Sequence, residues 1–324
     1  MITDWNELSN GYEIPNLFYG TYKVLDEILP CLDSALGAGY RGIDTAAYYH
    51  NERRIGEALK ILRPKYNLER KDIFLSTKLP PKSYGITAAV NSFRLSQEAL
   101  ETPYIDLYMI HWPGLQGFSP TKLERQGHMA DIRKGTWKAL EELVIQDKTL
   151  AQQLEDTNLS PSTTVTGSGA YRAIRSLGIC NYLPRHIHEL SGYASIPPAV
   201  VQYEFHPYLS VSAQEHPMRR ICTRLFPMQA VHFQARTIFA DGSPELLSSP
   251  ILQAISNELG RTPAQILIRW SLQKGHSVVA RSTKPRHIIE NSRVFEWELS
   301  PAAMSSIDGM ERNQRFCWDP NTVP

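Results

Sequence analysis

The chain has almost no net charge and no apolar run long enough to cross a bilayer. Its 34 lysines and arginines balance 33 acidic residues, so the formal net charge of the 324 residues is +1. This balance gives no indication of a nucleic-acid or membrane-surface partner. A membrane-spanning helix needs about 20 consecutive apolar residues, and the sequence contains no such run. We therefore expect a protein that binds neither nucleic acid nor membranes.

Cysteine is scarce, and the four cysteines are far apart. Cys31, Cys180, Cys222 and Cys317 form no Cys-x-x-Cys pair, which indicates reduced thiols instead of a metal site or a disulfide framework. Residues 1–16 lack the basic segment and following apolar segment of a secretory leader. We expect a cytoplasmic protein without a bound metal.

A dinucleotide-binding glycine fingerprint is also missing. No Gly-x-Gly-x-x-Gly motif follows an apolar run, so a Rossmann domain is not indicated. The fragment GSGA at residues 167–170 lies inside a stretch rich in Ser, Thr and Gly. Any nucleotide would have to bind by another architecture.

Apolar runs of strand length alternate with amphipathic helical segments along the chain. Thr262 and Gln265 form a capping box around Pro263, which occupies the first position of a late helix. Alternation of this kind predicts a parallel sheet that is buried on both faces. With seven or eight such units, we expect a (β/α)8 TIM barrel, a single domain over residues 1–324. The strand-like runs are 40–44, 72–79, 105–111, 176–182, 199–205 and 277–282.

Two stretches interrupt this rhythm. Residues 149–172 are rich in Ser, Thr and Gly and precede the expected fifth strand. A loop of this length is unusual inside a compact barrel, so we interpret it as an insertion. Residues 225–239 have an indistinct pattern where the seventh strand belongs. There we expect a helix end, a strand near residues 229–233, and a loop.

Polar side chains stand at the ends of three successive strand-like runs. Asp44 ends the first, Tyr49 follows five residues later, Lys78 is near the end of the second, and His111 ends the third. The carboxyl ends of barrel strands form one rim, so these groups should meet there and could transfer a proton to a carbonyl. Singly, each has a structural explanation: a helix cap for Asp44, half-buried polar groups for Tyr49 and His111, and a surface amine for Lys78.

The segments around these residues resemble the aldo-keto reductase family. Residues 39–59 (GYRGIDTAAYYHNERRIGEAL) resemble its Asp–Tyr signature, residues 72–79 its lysine strand, and residues 106–113 (DLYMIHWP) its histidine strand. SLGICNY, VVQYEFHPYL and ARSTKPRHIIEN follow in the family's order. The resemblance extends from about residue 8 to residue 320, apart from the two irregular stretches.

The resemblance implies a carbonyl reductase that uses NADPH. The nicotinamide would supply a hydride to a small-molecule aldehyde or ketone, and Tyr49 would supply a proton. A free phenol has a pKa of about 10, which the Lys78 ammonium would lower by stabilising phenolate. Asp44 would hold Lys78 charged, and His111 would orient the substrate carbonyl, with Trp112 beside it.

The resemblance also implies the contacts of the cofactor. Asn181 and Gln202 would hold the nicotinamide carboxamide, and Thr21, Tyr22 and Asp44 would lie near the same end. The adenosine end would be bound by Arg281, Ser282, His287, Glu290 and Asn291. His287 stands where the family often has a second phosphate-binding arginine, so NADPH is expected and NADH is possible. The family's serine-containing segment that wraps the pyrophosphate is not recognisable in residues 225–239.

Three functions are compatible with these observations. The first is reduction of an aldehyde or ketone to an alcohol. The second is a non-catalytic or impaired cofactor-binding protein of the same fold, acting as a sensor or regulatory subunit. The third, a Schiff-base aldolase at Lys78, is less favoured because Asp44 would keep that amine protonated. A self-contained barrel needs no partner, so we expect a monomer.

Overall fold

Eight parallel strands close into a barrel in the computed structural model, which describes residues 4–115, 124–156, 173–210 and 216–324. A two-stranded antiparallel hairpin, β1 (Trp5–Glu7) and β2 (Glu13–Pro15), precedes them. Successive strands pair in chain order, and the last closes on the first. The predicted (β/α)8 barrel is confirmed. Its strands are β3 (Leu17–Gly20), β4 (Gly42–Asp44), β5 (Phe74–Leu79), β6 (Tyr104–Ile110), β7 (Ala173–Cys180), β8 (Val200–Glu204), β9 (His232–Arg236) and β10 (Ser277–Ala280).

Helices lie on the outside of the barrel and connect its strands. They are α1 (Ile28–Gly37), α2 (Glu52–Lys65), α3 (Ile86–Ala99), α4 (Glu124–Asp156), α5 (Pro184–Ser191), α6 (His216–Leu225), α7 (Pro244–Leu247), α8 (Pro250–Leu259), α9 (Pro263–Gln273), α10 (Pro285–Ser292) and α11 (Pro301–Asp308). The predicted capping box begins α9: Gln265 N donates to Thr262 Oγ1 at 3.2 Å, and Thr262 N donates to Gln265 Oε1 at 2.9 Å. Within the described ranges, no helix has both the length and the apolarity needed to cross a membrane.

The strands separate two apolar cores. In β3, Leu17 and Tyr19 belong to the large core under the helices, whereas Phe18 belongs to a smaller cluster. This alternation follows from the two-residue period of a strand. The smaller cluster also contains Leu8 and Ile14 from the hairpin segment. Because apolar side chains fill the barrel interior near the amino ends of the strands, polar groups collect at the carboxyl ends.

The predictions for the two irregular stretches, residues 149–172 and 225–239, compare differently with the structure. Residues 149–156 continue α4 as helix, so this part of the expected insertion is not a loop, and residues 157–172 lie outside the described residues. In the second stretch α6 ends at Leu225 and β9 spans His232–Arg236. The expected helix end, strand and loop are therefore present, but the strand begins three residues later than predicted. Its position is fixed by pairing with β8 and β10, which local sequence does not reveal.

Gly56 on α2 packs directly against the backbone that ends α3. A Cβ atom at Gly56 would lie 2.7 Å from Ala99 O and 2.8 Å from Leu100 C. Backbone atoms cannot rotate away, so Gly56→Ala should push the two helices apart. We expect its free energy of unfolding to fall by about 1–3 kcal/mol, as measured by urea denaturation.

Gly135 on α4 provides the matched control. A Cβ atom there would meet only Ile86 Cγ1, at an ordinary 3.6 Å. Gly135→Ala should leave the free energy of unfolding unchanged or raise it by up to about 1 kcal/mol, because alanine is the better helix former. Equal stability of Gly56→Ala and the wild type would show that this close approach does not constrain α2.

Candidate active site

The ends of β4 and β5 bring Asp44 and Lys78 into direct contact inside the barrel. Lys78 Nζ donates to Asp44 Oδ1 at 2.6 Å and to the Thr45 carbonyl at 2.9 Å. The two side chains are only 5% and 0% exposed. A buried charge is tolerated when it is paired and hydrogen-bonded, and each partner here satisfies the other. The pair therefore fixes a positive ammonium beneath the rim.

Further polar side chains surround this pair and form an inner polar layer (Asp44, Ser76, Lys78, Gln202 and Gln234). Asp44 Oδ2 accepts from Ser76 Oγ at 3.1 Å and from Gln202 Nε2 at 2.9 Å. Gln202 Nε2 also donates to Gln234 Oε1 at 2.7 Å. Ser76 and Gln234 are absent from the predicted site residues. Their signal in the sequence is a polar residue at a buried position of a barrel strand.

Tyr49 and His111 lie beside this layer at the rim. A single turn of 3₁₀ helix, Ala47–Tyr49, follows β4 and carries the tyrosine. Its ring centroid is 5.6 Å from that of His111 and 5.5 Å from Lys78 Nζ. The structure thus brings together all four residues that the sequence predicts for catalysis: Asp44, Tyr49, Lys78 and His111.

Burial sets the protonation states of the two rim groups. It raises the pKa of Tyr49 well above the ordinary value; the Asp44 carboxylate adds to this, and the Arg236 guanidinium opposes it. Burial lowers the pKa of His111 well below its ordinary value, as do the charges of Lys78 and Arg236. At neutral pH both side chains are uncharged and can each donate a hydrogen bond. The expected fall in the Tyr49 pKa is therefore wrong for the free protein, because desolvation of the phenolate dominates.

Tyr49 and His111 line a cavity of about 250 Å³, here called the first cavity. Its other lining residues include five aromatic ones: Tyr22, Tyr48, Trp112, Phe316 and Trp318. Trp112, the predicted substrate contact, meets Trp318 edge to face, with ring centroids 5.9 Å apart. The wall from the C-terminal tail is anchored at β8, where Glu204 Oε1 accepts from Phe316 N at 2.6 Å.

Two more cavities continue from the first one toward α10. A second cavity of about 130 Å³ is lined by Thr21, Tyr22, Asp44 and Tyr49 and extends to Arg281. A third, of about 320 Å³, contains every residue predicted for the adenosine end: Arg281, Ser282, His287, Glu290 and Asn291. The first and second cavities share Tyr49 and Arg236, and the second and third share Phe239 and Arg281. Together they form one rim groove.

The chemistry of the rim groove fits a nicotinamide dinucleotide. One end has the Arg281 guanidinium for a phosphate. At the other end Asn181 lines the first cavity, and its Nδ2 donates to the His111 carbonyl at 2.8 Å. Buried nitrogens without a hydrogen-bond partner lie near this end, namely His111 Nδ1, Gln234 Nε2 and Arg236 Nε. Buried polar atoms are normally satisfied, so orphaned ones indicate a place for a ligand. Among the described residues, no His, Cys, Asp or Glu cluster could hold a metal.

Arg236, the last residue of β9, is a site residue that the sequence does not predict. Its Nη2 donates to Asn181 Oδ1, and its Nη1 donates to Thr237 Oγ1 at 2.9 Å and to Cys317 Sγ at 3.0 Å. It stands at the carboxyl end of a barrel strand, as Asp44 does in β4. The indistinct pattern of residues 225–239 conceals that position in the sequence.

The loop after Arg236 occupies the place expected for the pyrophosphate segment. Residues 237–242 line the second cavity, with the exception of Ala240. The backbone takes the left-handed conformation at Thr237, Ala240, Asp241 and Gly242, with φ between 49° and 82°. A wall is therefore present in this part of the groove, although its sequence differs from the family's serine-containing segment.

Known proteins resemble this chain over almost its whole length. The family model described as "Aldo/keto reductase family" matches residues 16–155 and 172–312, so the unmatched residues between the two ranges fall in the predicted insertion. Glyoxal reductase of Bacillus subtilis (strain 168) is 30% identical over 324 residues, covering 99% of this chain and 98% of that protein. Aldo-keto reductase family 1 member A1 of Bos taurus is 33% identical over 319 residues, covering 95% and 90%.

Solved structures share the whole architecture. MGS-M4, an aldo-keto reductase enzyme from a Medee basin deep-sea metagenome library, aligns with a TM-score of 0.78 and 26% identity, covering 99% of this chain and 100% of that chain. The aldose reductase from Schistosoma japonicum aligns with a TM-score of 0.76 and 26% identity, covering 97% and 94%. The family match spans most of the sequence, and so do the curated relatives. This chain therefore belongs to the aldo/keto reductase family, whose members are oxidoreductases that reduce carbonyl compounds.

Proposed function

We propose that this protein is an NADPH-dependent reductase that converts an aldehyde or ketone into an alcohol. The observation that carries the proposal is the meeting of Tyr49, His111 and the buried Lys78–Asp44 pair at one end of the rim groove. Arg281 lines its far end. The named relatives, a glyoxal reductase and aldo-keto reductases, support this reaction class.

The four residues divide the proton chemistry among them. Neutral His111 donates a hydrogen bond that orients the substrate carbonyl. When the carbonyl carbon accepts a hydride, negative charge develops on its oxygen, and Tyr49 donates a proton to it. Lys78, 5.5 Å from the Tyr49 ring centroid, stabilises the phenolate that remains. Asp44 holds the ammonium in place at 2.6 Å.

The nicotinamide cofactor supplies the hydride when it is bound, and the nicotinamide end of the groove offers contacts for it. Asn181 would hold the carboxamide, with Thr21 and Tyr22 nearby. Both Gln202 Nε2 hydrogens are directed at Asp44 and Gln234. The oxygen of Gln202 accepts only from the Cys180 thiol, at 3.2 Å, which is a weak donor. However, Gln202 is 0% exposed and lines none of the three cavities, so we propose the carboxamide contact for Asn181 alone.

The adenosine end has a single arginine for the 2′-phosphate. Arg281 and Ser282 would bind this phosphate, with Glu290 and Asn291 around the adenine. Arg286 does not line the third cavity, since its Nε pairs with Glu290 Oε1 at 2.7 Å. His287 does line it, but an imidazole lacks the bidentate fork with which a guanidinium binds phosphate. NADPH is the proposed cofactor because Arg281 can bind its 2′-phosphate. NADH, which lacks this phosphate, is the alternative cofactor.

The competing functions are less well supported. A non-catalytic cofactor-binding protein would not need the complete set of Asp44, Tyr49, Lys78 and His111. A Schiff-base aldolase would need a lysine that reaches its substrate, but Lys78 is 0% exposed and does not line the groove cavities. One barrel supplies every side chain named for the groove, so we propose a monomer. Location in the cytoplasm stays a prediction from the sequence.

Tyr49→Phe should abolish reduction without abolishing cofactor binding. Only the acidic proton is removed, so kcat should fall at least about 100-fold, and the Kd of NADPH should change less than about threefold. Steady-state reduction of an aldehyde panel and quenching of tryptophan fluorescence measure the two quantities. Tyr48→Phe, in the same cavity wall, is the control and should keep most activity. Near-normal turnover by Tyr49→Phe would rule out this tyrosine as the acid.

Arg281→Ala should weaken NADPH binding much more than NADH binding. Loss of a charged hydrogen bond to phosphate should raise the Kd of NADPH at least about tenfold. The Kd of NADH should change little because it lacks the 2′-phosphate. Arg220→Ala, on an exposed position of α6, should change neither constant. An equal rise in the Kd of NADPH and of NADH would show that Arg281 does not bind the 2′-phosphate.

Borohydride trapping discriminates the reductase from the aldolase. Lys78 is buried and held by Asp44, so incubation with an aldehyde and sodium borohydride should leave it unmodified in peptide mass spectra. Exposed lysines such as Lys71, with a 70% exposed side chain, serve as the internal positive control for labelling. A stoichiometric adduct at Lys78 would instead favour Schiff-base chemistry.

A further inference from the structure

Arg236 places a positive charge in the rim groove that the proposed proton transfer does not use. Its hydrogen bonds reach three uncharged groups, Asn181 Oδ1, Thr237 Oγ1 and Cys317 Sγ. Its Nε is buried and has no partner. No ion pair within the described part of the chain includes it. Guanidinium stays protonated at any working pH, so the groove contains a cation whose direct hydrogen-bond partners are neutral.

The other charges around the junction of the first and second cavities occur in pairs. Asp44 is paired with Lys78, and Asp241 lies 3.5 Å from Lys23. Glu204, the nearest acid at the end of β8, is shared with the His206 imidazole at 3.0 Å and with Arg315 at 3.9 Å. Asp44 and Asp241 therefore have close partners. Glu204 lies opposite Arg236 across the β8–β9 pairing and interacts with its charge, but the two form no direct ion pair. Among the residues that the structure describes, Arg236 thus has Glu204 as a more distant counter-charge and no direct ion-pair partner at this junction.

The position of Arg236 coincides with the proposed nicotinamide end of the groove. It lines both cavities that meet there. Its Nη2 is bonded to Asn181, the residue assigned to the carboxamide. Its field also reaches the reacting groups, because it lowers the pKa of both Tyr49 and His111, although burial has the larger effect on each. A nicotinamide ring held by Asn181 would be adjacent to this cation.

The charge of the ring changes during the proposed reaction. Loss of a hydride converts the neutral dihydronicotinamide ring into a pyridinium with one positive charge, and the phosphates keep their charges. A fixed cation beside the ring repels the oxidised form and leaves the reduced form nearly unaffected. Repulsion over a few ångströms is strong where water is excluded. Resting on the proposed function, we infer that Arg236 weakens binding of NADP⁺ relative to NADPH and so favours carbonyl reduction over alcohol oxidation.

A purely structural role for Arg236 makes a different prediction. Its bonds connect β9 to Asn181 and to the C-terminal tail at Cys317. Loss of that connection would change the shape of the site for both cofactor forms and shift both dissociation constants alike. A contact with the cofactor pyrophosphate would also act on both forms equally. The ratio of the two constants therefore isolates the effect of charge at the ring.

The test measures Kd for NADPH and for NADP⁺ separately with wild type, Arg236→Gln and Arg236→Lys. Quenching of tryptophan fluorescence is a suitable signal, since Trp112 and Trp318 line the first cavity. For wild type, NADP⁺ should bind more weakly than NADPH. In Arg236→Gln the ratio Kd(NADP⁺)/Kd(NADPH) should fall by about tenfold. Arg236→Lys keeps the charge and should keep the ratio within about threefold.

Each outcome decides the inference. An unchanged ratio in Arg236→Gln, or the same ratio in Arg236→Lys and Arg236→Gln, would overturn it, even if both variants bind cofactor. Arg236→Met is a second neutral variant of similar length, and circular dichroism identifies which neutral variant is folded. Failure of folded wild-type protein to bind either cofactor form would instead contradict the proposed function. The two failures are thus distinguishable without measuring turnover.

Discussion

The buried ion pair of Lys78 and Asp44 is the interaction on which the active end of the barrel depends. Neither charge has appreciable contact with water, so removal of one partner would leave the other unpaired at a cost of several kcal/mol. Asp44 also accepts from Ser76 and Gln202, and Gln202 contacts Gln234. One carboxylate therefore ties together β4, β5, β8 and β9 at the level where the rim groove begins.

The fold was predictable to the extent that strands are buried on both faces and separated by amphipathic helices. That pattern predicts the order of elements and the capping box of α9, where Thr262 and Gln265 act locally. It does not predict β9, whose bounds depend on pairing with β8 and β10. Nor does it identify the short β1–β2 hairpin, which is stabilised by contacts of Leu8 and Ile14 with the barrel interior. Such contacts are distant in the sequence.

The candidate site was predictable where a recognisable residue type follows a recognisable strand. Asp44, Lys78 and His111 meet that condition, and the structure brings them together with Tyr49. Arg236 does not meet it, because the strand before it is indistinct in the sequence. The pKa of Tyr49 is also beyond the sequence. Burial raises it and the Arg236 guanidinium lowers it, and only the structure shows that burial dominates.

The first cavity takes one wall from the end of the chain. Phe316, Cys317 and Trp318 line it, and the tail is held by Glu204 at Phe316 N and by Arg236 at Cys317. During synthesis, the barrel strands and all four predicted catalytic residues emerge from the ribosome before residues 316–318 do. The nascent chain can thus assemble its reactive groups while the pocket is still open on one side. This wall of the first cavity is the last part of the candidate site to be synthesised.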